Sequence, residues 1–410
     1  MMRRVLAAVA MLLTVACAHK PVKPPLSPQP PPPAPGQAAA QESLREIPWR
    51  ELGKIEDDLD FAGFGQACAA SASYYAKIPP NTAFDFGSVR VTAKEMVEGL
   101  AGLSEIARDK GLNTKEKIRR IQGGCRLFAS VGSDGAGAVL VTGYYEPWLT
   151  GRRRSDETFR VPVYRRPEDL VSVDLSLFPA AKSQARIVGR VDEDRLVPYF
   201  PRGEIASGAL EGKGLELLWL EDPVDLFFLQ VQGSGRVTLE DGSTVRVQYD
   251  AQNGQPYRSL GKVLIEKGVL PADQVSMQAI RKYFQGHPEQ LPLLNENASY
   301  TFFRLEDDGP YGNIGVALTP GRSIATDSRV FPKGAPALIR TRKPVLNAKG
   351  EVSGWEPFTR VVFNQDTGGA IVGPGRVDLF WGGGSQAEAA AGRMKEPGEL
   401  YFLLPASMGQ

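Results

Sequence analysis

The sequence predicts an α+β protein that is mainly β, with helices near the start of the folded chain and β-rich barrels or sandwiches after them. Two observations lead to this prediction. Residues 43–135 carry helix-start signals, whereas the chain from Val139 onward consists of short alternating or β-branched runs broken by Gly, Pro and Asp. A length of 410 residues with 42% hydrophobic composition allows two or three domains and a large core.

Helix-start signals identify two helices in the N-terminal part of the folded chain. Thr92 and Glu95 have the spacing of a capping box, in which each side chain bonds the backbone N–H of the other residue. Asn113 precedes a run of Lys, Glu, Ile and Arg in the way that an N-cap does. Two further helical stretches, at 257–267 and 276–284, are predicted among the strands.

Strand signals recur through the rest of the chain. They lie in the segments Val139–Val141, Arg160–Tyr164, Leu215–Leu220, Leu226–Val231, Ser243–Tyr249, Phe302 to Ala325, Ala337–Thr341, Phe358–Phe363 and Leu400–Leu404. No internal repeat with a period of about 20–50 residues is present, so a solenoid or propeller is not predicted.

Composition excludes several functional classes. The 48 basic and 47 acidic residues leave a formal net charge of +1, which argues against nucleic acid as the main partner. Two histidines and three cysteines are too few for a zinc or iron site built from Cys/His clusters. A triad enzyme could use only His287, which lies in a Gly-His-Pro turn. Acid–base chemistry is therefore expected from carboxylates.

Residues 1–17 have the pattern of a secretory signal peptide. Two arginines precede the apolar segment Val5–Ala16, which is shorter than the roughly 20 residues that a membrane-spanning helix needs. Cys17 follows Thr-Val-Ala and resembles the lipidated cysteine of a bacterial lipobox; ordinary cleavage after Ala18 is the alternative. No aspartate follows the cysteine, which favours a lipid anchor at the periplasmic face of the outer membrane of a Gram-negative bacterium.

Residues 18–42 are predicted to be a disordered, Pro-rich tether. Nine prolines fall within residues 21–35, a composition that adopts extended polyproline II and cannot pack a core. An SH3-type ligand is the alternative, although a spacer suits a location outside the cytoplasm. Cys68 and Cys125 would then lie in an oxidising compartment, either as a disulfide or as two buried thiols.

Two segments in the first part of the β-rich region are dense in Gly, aromatic and polar residues. Thr142–Pro147 contains adjacent tyrosines, whose flat faces suit stacking on sugars, or it is a strand end with two half-buried rings. Asp222–Arg236 has an apolar half predicted as a buried strand. Its end, Gln232–Gly235, either lets the backbone approach a ligand or forms a hairpin turn. Without a following helix and lysine, this segment does not predict nucleotide binding.

A third such segment is Ser323–Asp327, and the fourth, Asp366–Gly384, contains two aspartates around a Gly-rich hairpin. Strand alternation puts Asp378 on the face opposite Val377 and Leu379, in an aromatic setting that raises a carboxyl pKa by desolvation. A pKa near about 6 would leave roughly a tenth of this carboxyl protonated at pH 7. The first aspartate opens an Asp-Thr-Gly turn and has either a capping or a functional role. The residues thus predict a carbohydrate site with Asp378 as candidate acid.

Six segments, in order along the chain, resemble the membrane-bound lytic murein transglycosylase A family. They are Gly143–Pro147, Val231–Arg236, Asn253–Gly261, Phe302–Phe303, Asp366–Ile371 and Arg376–Phe380. The last two, together with Asp327, also resemble the three-aspartate (3D) domain of that family, here at about 320–405. Each motif is weak by itself, but six in order between about residues 48 and 405 are highly specific.

The resemblance implies a double-psi β-barrel formed by both ends of the chain, 43–145 and 299–408. A second β-rich domain, 146–298, would be inserted between them, and a peptidoglycan strand would lie in the cleft. The implied reaction cleaves the β-1,4 bond between N-acetylmuramic acid and N-acetylglucosamine without water and leaves a 1,6-anhydromuramoyl end. Because the sugar's own C6 hydroxyl attacks, one carboxyl can serve as acid and then as base.

The family's single catalytic aspartate falls on Asp378, and Asp366 takes a supporting role; Asp327 is assigned a structural one. The expected glycan contacts are Thr142, Tyr145, Gln232, Ser234 and Trp381. No metal or organic cofactor is called for. Expected partners are glycan strands, the outer membrane through a lipid anchor, and other cell-wall enzymes. Two alternatives stay open: an inverting hydrolase that uses Asp366 as base, and a lipoprotein that binds peptidoglycan without cleaving it.

Overall fold

The computed structural model describes residues 42–178 and 186–406. The predicted signal peptide 1–17 with Cys17, and residues 18–41 of the predicted tether, lie outside the described residues. Across the described part of the chain, none of the helices combines the length and apolar character required to cross a membrane.

The N-terminal part combines short strands with three helices. Its elements are β1 (Leu44–Ile47), a 3-10 helix (Trp49–Leu52), α1 (Phe64–Ala76), β2 (Ala83–Phe86), β3 (Val89–Thr92), α2 (Ala93–Arg108), α3 (Thr114–Gly124), β4 (Cys125–Ser130) and β5 (Val139–Glu146). Both predicted helix starts are confirmed. Thr92 and Glu95 form a reciprocal capping box at the start of α2, and Asn113 forms one with Glu116 at the start of α3.

The middle of the chain builds a second set of sheets. Its elements are β6 (Trp148–Arg152), β7 (Val161–Tyr164), β8 (Leu170–Asp174), β9 (Arg186–Asp192), β10 (Arg195–Pro198), β11 (Glu216–Leu220), α4 (Pro223–Gln232), β12 (Ser234–Thr238), β13 (Thr244–Gln252), α5 (Leu260–Glu266), α6 (Met277–Gly286) and β14 (Thr301–Glu306), with short helical turns at Leu175–Leu177, Arg202–Glu204, Ile205–Ala209 and Pro288–Glu296. The strand orders are β14-β13-β12-β6-β11-β7 and β10-β9-β8. Because β14 pairs with β13, this second set of sheets extends to Glu306.

The strand predicted at Leu226–Val231 is wrong, since these residues lie in α4. Asp222 caps this helix by accepting a hydrogen bond from the backbone N–H of Val224, and Pro223 occupies its first turn. Gly233 ends the helix in the left-handed conformation. An Asp, a Pro and a terminal Gly at these positions are helix signals, whereas a short, fully apolar run does not distinguish a buried strand from a buried helix.

The C-terminal part closes the barrel. Its elements are β15 (Ser323–Ala325), β16 (Pro336–Leu346), β17 (Val352–Asp366), β18 (Arg376–Gly383), α7 (Ser385–Ala391) and β19 (Lys395–Pro405). The strands β19-β16-β17-β15-β18-β5 form a closed six-stranded ring, because β5 pairs with both β18 and β19. The pairs β15–β17 and β18–β5 are parallel. A barrel assembled from both ends of the chain around an inserted β-rich segment is therefore confirmed.

A buried ion pair attaches the N-terminal segment to the barrel. Arg322 donates through Nη1 and Nη2 to the two carboxylate oxygens of Asp57 at 2.6 and 2.7 Å, and both side chains are 0% exposed. The same guanidinium donates to the backbone carbonyls of Ala62 and Val361. Every charge at this point is thus satisfied by directed hydrogen bonds, as burial of ions requires.

Cys68 on α1 and Cys125 at the start of β4 are both buried free thiols. The Cys68 thiol donates to the backbone carbonyl of Leu100 at 3.3 Å, so it points at α2. Burial raises the pKa of both thiols to about 12. Of the two arrangements that the sequence left open, the structure contains the pair of buried thiols and not the disulfide.

Candidate active site

Four neighbouring strands of the barrel place the two aspartates of the Gly-rich segment at the same level of the sheet, linked by cross-strand residue pairs. Asp378 on β18 is paired with Thr142 on β5 at one side and with Ala325 on β15 at the other. Ala325 is also paired with Asp366, the last residue of β17. Neighbouring strands are about 4.8 Å apart, so the two aspartate backbones are separated by two strand spacings, roughly 10 Å.

The Asp378 side chain leaves the barrel on the face opposite the core. Val377 and Leu379 are 0% exposed in the core, whereas Asp378 is half-buried and lines a cavity, as strand alternation predicts. Its Oδ1 atom is buried and accepts no hydrogen bond from the described residues. Burial raises the pKa of Asp378 to about 6; Arg376 acts against this shift and Asp366 adds to it. Such a carboxyl is partly protonated near neutral pH, as a general acid must be.

Asp366 is held by the turn that its sequence predicts. Its Oδ1 accepts the backbone N–H groups of Thr367 and Asn313, each at 2.9 Å. Burial nevertheless raises the pKa of Asp366 to about 6, against the effect of these two donors. Burial raises the pKa of the Tyr144 phenol well above its ordinary value, and the nearby carboxylates of Asp366 and Asp378 add to this shift. Asp366 is therefore a positioned carboxyl whose charge acts on its neighbours.

Two adjoining cavities form a cleft between the barrel and the inserted sheets. The larger, of about 790 Å³, is lined by Asp366, and the smaller, of about 430 Å³, is lined by Asp378. Residues 230–232 of the inserted segment and Gly368 and Gly369 of the barrel line both cavities. The cleft is thus continuous, and both carboxyls lie along its barrel wall. Within the described ranges, no group of three or more His, Cys, Asp or Glu side chains is placed to hold a metal ion.

Three of the five expected glycan contacts line this cleft. Thr142 lies in the smaller cavity, Ser234 in the larger and Gln232 in both. The Gln232 side-chain oxygen accepts the backbone N–H of Tyr145 at 3.0 Å, which ties the end of α4 to β5. Polar side chains from both walls therefore reach the space beside the two carboxyls.

The other two expected contacts, Tyr145 and Trp381, do not line either cavity. Tyr145 is 1% exposed and packs with Ala387 and Ala391 of α7. The Trp381 indole N–H donates to the sulfur of Met394 at 3.3 Å. Helix α7 covers this side of β5 and β18, so both rings fill the space beneath it. Trp381 is also an odd number of positions from Asp378, which puts it on the opposite strand face.

Sequence reasoning missed two cleft residues next to the candidate acid, Arg376 and Tyr257. Both line the smaller cavity, and the Tyr257 residue is 40% exposed. The position of Arg376 could have been found, since residues two apart on a strand share a face. Tyr257 belongs to the motif Asn253–Gly261, but it lies in a loop before α5 and only the tertiary fold brings it to the cleft.

Asp327 lies away from both cavities and organises the hairpin between the two cleft aspartates. Its Oδ2 accepts the backbone N–H of Gly373 at 2.8 Å, and its carboxylate is paired with Arg329. The side chain is almost fully buried. These bonds fit the structural role expected for Asp327.

A closed barrel and an inserted sheet that flank a cleft, with carboxyls of raised pKa along one wall, define an acid–base enzyme for an extended substrate. Family models sharpen this class: an "MltA specific insert domain" matches residues 140–304 and a "3D domain" matches residues 322–404. The membrane-bound lytic murein transglycosylase A of Vibrio cholerae is 32% identical over 337 residues, which are 80% of this chain and 83% of that protein. The chain belongs to the membrane-bound lytic murein transglycosylase A family.

Solved structures agree with this assignment. The membrane-bound lytic murein transglycosylase from Agrobacterium tumefaciens superposes with a TM-score of 0.71 at 32% identity, covering 88% of this chain and 98% of that one. Escherichia coli MltA with bound chitohexaose superposes with a TM-score of 0.67 at 26% identity, covering 89% and 94%. The resemblance drawn from the six motifs is therefore confirmed.

Proposed function

We propose that this enzyme, a peptidoglycan lytic transglycosylase, uses Asp378 as its single acid and base. The bond cleaved is the β-1,4 linkage between N-acetylmuramic acid and N-acetylglucosamine. One observation supports the proposal above the others: among the described residues lining the smaller cavity, Asp378 is the only carboxyl. It combines a raised pKa with an oxygen that accepts no hydrogen bond from the described residues.

The proposed reaction needs no water. Protonated Asp378 donates its proton to the glycosidic oxygen as the bond from that oxygen to muramoyl C1 breaks. The C6 hydroxyl of the same muramoyl ring attacks C1, and the Asp378 carboxylate accepts the proton that this hydroxyl loses. The new C1–O6 bond gives the 1,6-anhydro end, and Asp378 is protonated again for the next turnover.

Asp366 is proposed to support this step and not to act as a second catalytic carboxyl. Glycosidases that do use two carboxyls place them on either side of the scissile bond. Here Asp366 lines the neighbouring cavity, and its Oδ1 is occupied by two backbone donors. Its negative charge raises the pKa of Asp378, which keeps the acid protonated at higher pH.

The pH dependence of cleavage follows from these shifts. The reactive form is protonated Asp378, so we expect the rate at saturating substrate to fall about tenfold per pH unit above the pKa of about 6. Asp366→Asn removes a charge that raises this pKa and should move the alkaline limb to lower pH. Initial rates of wild type and Asp366→Asn between about pH 4 and pH 9 measure both the decline in rate and its displacement. A rate that rises with pH across this range would contradict the assignment of Asp378 as acid.

The glycan strand is proposed to lie along the cleft, with Thr142, Gln232 and Ser234 bonding its hydroxyl and acetamido groups. All three line the cavities that also hold the two carboxyls. A relative with the same fold has been crystallised with bound chitohexaose, an observation that supports a glycan as the occupant.

The family is named membrane-bound, and we propose that lipid on Cys17 anchors this chain to the periplasmic face of the outer membrane. Lipidation requires the thiol, so Cys17→Ser should move the protein from the membrane fraction to the soluble periplasmic fraction. Fractionation of cells followed by immunoblotting measures this. Cys68→Ser, which changes a buried thiol elsewhere, is the control and should stay in the membrane fraction. A Cys17→Ser protein that remains membrane-bound would show that another segment provides the anchor.

Identification of the products tests the proposed reaction. A soluble form starting near Gln41 is incubated with purified peptidoglycan, and the released muropeptides are identified by mass spectrometry. Lytic cleavage gives products lighter by one water than those of hydrolysis. Reducing-end products that disappear with Asp366→Asn would instead indicate an inverting hydrolase. Binding to peptidoglycan without any product would indicate a lipoprotein that only binds the wall.

A further inference from the structure

Two arginines line the same small cavity as Asp378, and neither has an acidic ion-pair partner among the described residues. Arg376 lies on β18, two positions before the acid, and Arg202 belongs to the inserted segment on the other wall. Within the part of the chain that the structure describes, neither forms an ion pair with a carboxylate. The cavity around the candidate acid therefore holds two positive charges against one carboxyl.

Arg202 is a deeply buried cation whose hydrogen-bond partners among the described residues are all neutral. It is 5% exposed and donates to the backbone carbonyls of Asn297 and Ser299 and to the side-chain oxygen of Gln230. Burial lowers the pKa of its guanidinium to about 10, so the group stays charged at neutral pH. Its charge gives the cavity a positive electrostatic potential. This potential is strong because little water screens a buried charge.

Arg376 is the more accessible of the two and has donors to spare. Its Nε is buried without a hydrogen-bond partner among the described residues. Among the described residues its one side-chain bond, from Nη2 to the Thr142 hydroxyl, is 3.5 Å long and therefore at the limit of hydrogen bonding. Buried donors are normally satisfied in folded proteins, so an unpaired one beside a reactive carboxyl indicates a ligand group.

The forked donors of a guanidinium match a carboxylate, which they bind through two parallel hydrogen bonds. Residues two apart on a strand lie about 6.6 Å apart, which is within reach of a substituent on a sugar bound at Asp378. We propose that Arg376, aided by the charge of Arg202, binds a carboxylate carried by the muramoyl residue whose bond is cleaved. This inference rests on the proposed function, and it adds the substrate group that the active site recognises.

Two parts of peptidoglycan supply such a carboxylate. A strand stripped of its peptides exposes the lactyl carboxylate on the muramoyl ring itself, and an intact strand has carboxylates on its stem peptide. In either case the bound anion neutralises Arg376, whose charge lowers the pKa of Asp378. Asp366, Tyr144 and Tyr257 are the other titratable groups around this acid. Recognition of the carboxylate thus favours the protonated, reactive form of Asp378.

The experiment compares the full chain with Arg376→Gln, Arg376→Lys and a control, Arg119→Gln, on an exposed face of α3. The substrates are stripped strands, the same strands with their carboxyls amidated, and intact strands; chitohexaose, which has no carboxylate, is the binding probe. We expect Arg376→Gln to raise KM on stripped strands about 10- to 100-fold, as loss of a charge-assisted pair does. Its affinity for chitohexaose and its KM on amidated strands should match wild type.

Arg376→Lys should recover part of the loss, and Arg119→Gln should behave as wild type. A KM effect on intact strands alone would identify the stem peptide, and not the lactyl group, as the source of the carboxylate. Equal losses on amidated strands or chitohexaose would overturn the proposal, because they would show a structural role for Arg376. Absence of anhydro products from wild type would refute the proposed function, while tighter binding of stripped than of amidated strands would still support the carboxylate site.

Discussion

Asp378→Asn is expected to slow the release of 1,6-anhydromuramoyl ends by about 10²- to 10⁴-fold, the range attributed to general acid–base catalysis. Asparagine has nearly the same shape as aspartate but can neither give the leaving oxygen a proton nor accept one from the C6 hydroxyl. Both halves of the proposed step are lost together. Initial rates on purified peptidoglycan, with products separated by chromatography, measure the effect.

The loss should arise without unfolding. The Oδ1 atom of Asp378 accepts no hydrogen bond from the described residues, and a neutral amide is less costly to bury than a carboxylate. Asp366→Asn is the matched control, since its amide oxygen can still accept the N–H groups of Asn313 and Thr367. We expect this control to retain measurable lytic activity at low pH. Thermal unfolding should be similar for both variants, and a wild-type rate for Asp378→Asn would remove the acid from the mechanism.

Asp57→Ala is expected to destabilise the fold by about 3–5 kcal/mol, the usual cost of leaving one partner of a buried ion pair uncompensated. Arg322 would remain with 0% exposure and without its carboxylate. The backbone N–H groups of Phe61 and Val361, which now donate to Asp57, would lose their acceptor as well. Because this pair connects the N-terminal segment to the barrel, its loss should loosen both together. Denaturant unfolding followed by circular dichroism gives the free energy.

A neighbouring exposed ion pair provides the control. Glu56 is paired with Lys54, and their side chains are 64% and 82% exposed. Glu56→Ala should therefore change the free energy of unfolding by less than about 1 kcal/mol. Replacing both Asp57 and Arg322 by apolar residues of similar size should cost less than Asp57→Ala, since no unpaired charge remains. If Asp57→Ala and Glu56→Ala had equal effects, the buried pair would not hold the N-terminal segment in place.

The features that the sequence predicted well depend on neighbours in the chain. The capping box of Thr92 and Glu95 requires only residues three apart, and the turn at Asp366 requires only the next backbone N–H. Strand alternation placed Asp378 on the face away from the core for the same reason. The family resemblance supplied the rest of the architecture, which no local pattern contains.

The features that the sequence did not reveal depend on contacts between distant segments. Tyr145 and Trp381 are aromatic residues in the right motifs, but α7 covers them and so keeps them out of the cleft. The pairing of Asp57 with Arg322 joins positions 265 residues apart, and no spacing rule reports it. Arg202 reaches the cavity only because the inserted segment folds across the barrel wall.

The source of the oxygen atom bonded to C1 at the new muramoyl end distinguishes lytic cleavage from hydrolysis, and the wild-type protein alone is sufficient for this test. Peptidoglycan is digested by the wild-type protein in ¹⁸O-labelled water, and the masses of the muropeptides are measured by mass spectrometry. If the C6 hydroxyl attacks, the products carry no label and are lighter by one water than hydrolysed ones. Products with ¹⁸O at muramoyl C1 from the earliest times would show that water attacks, and would contradict a reaction in which Asp378 alone serves as acid and base.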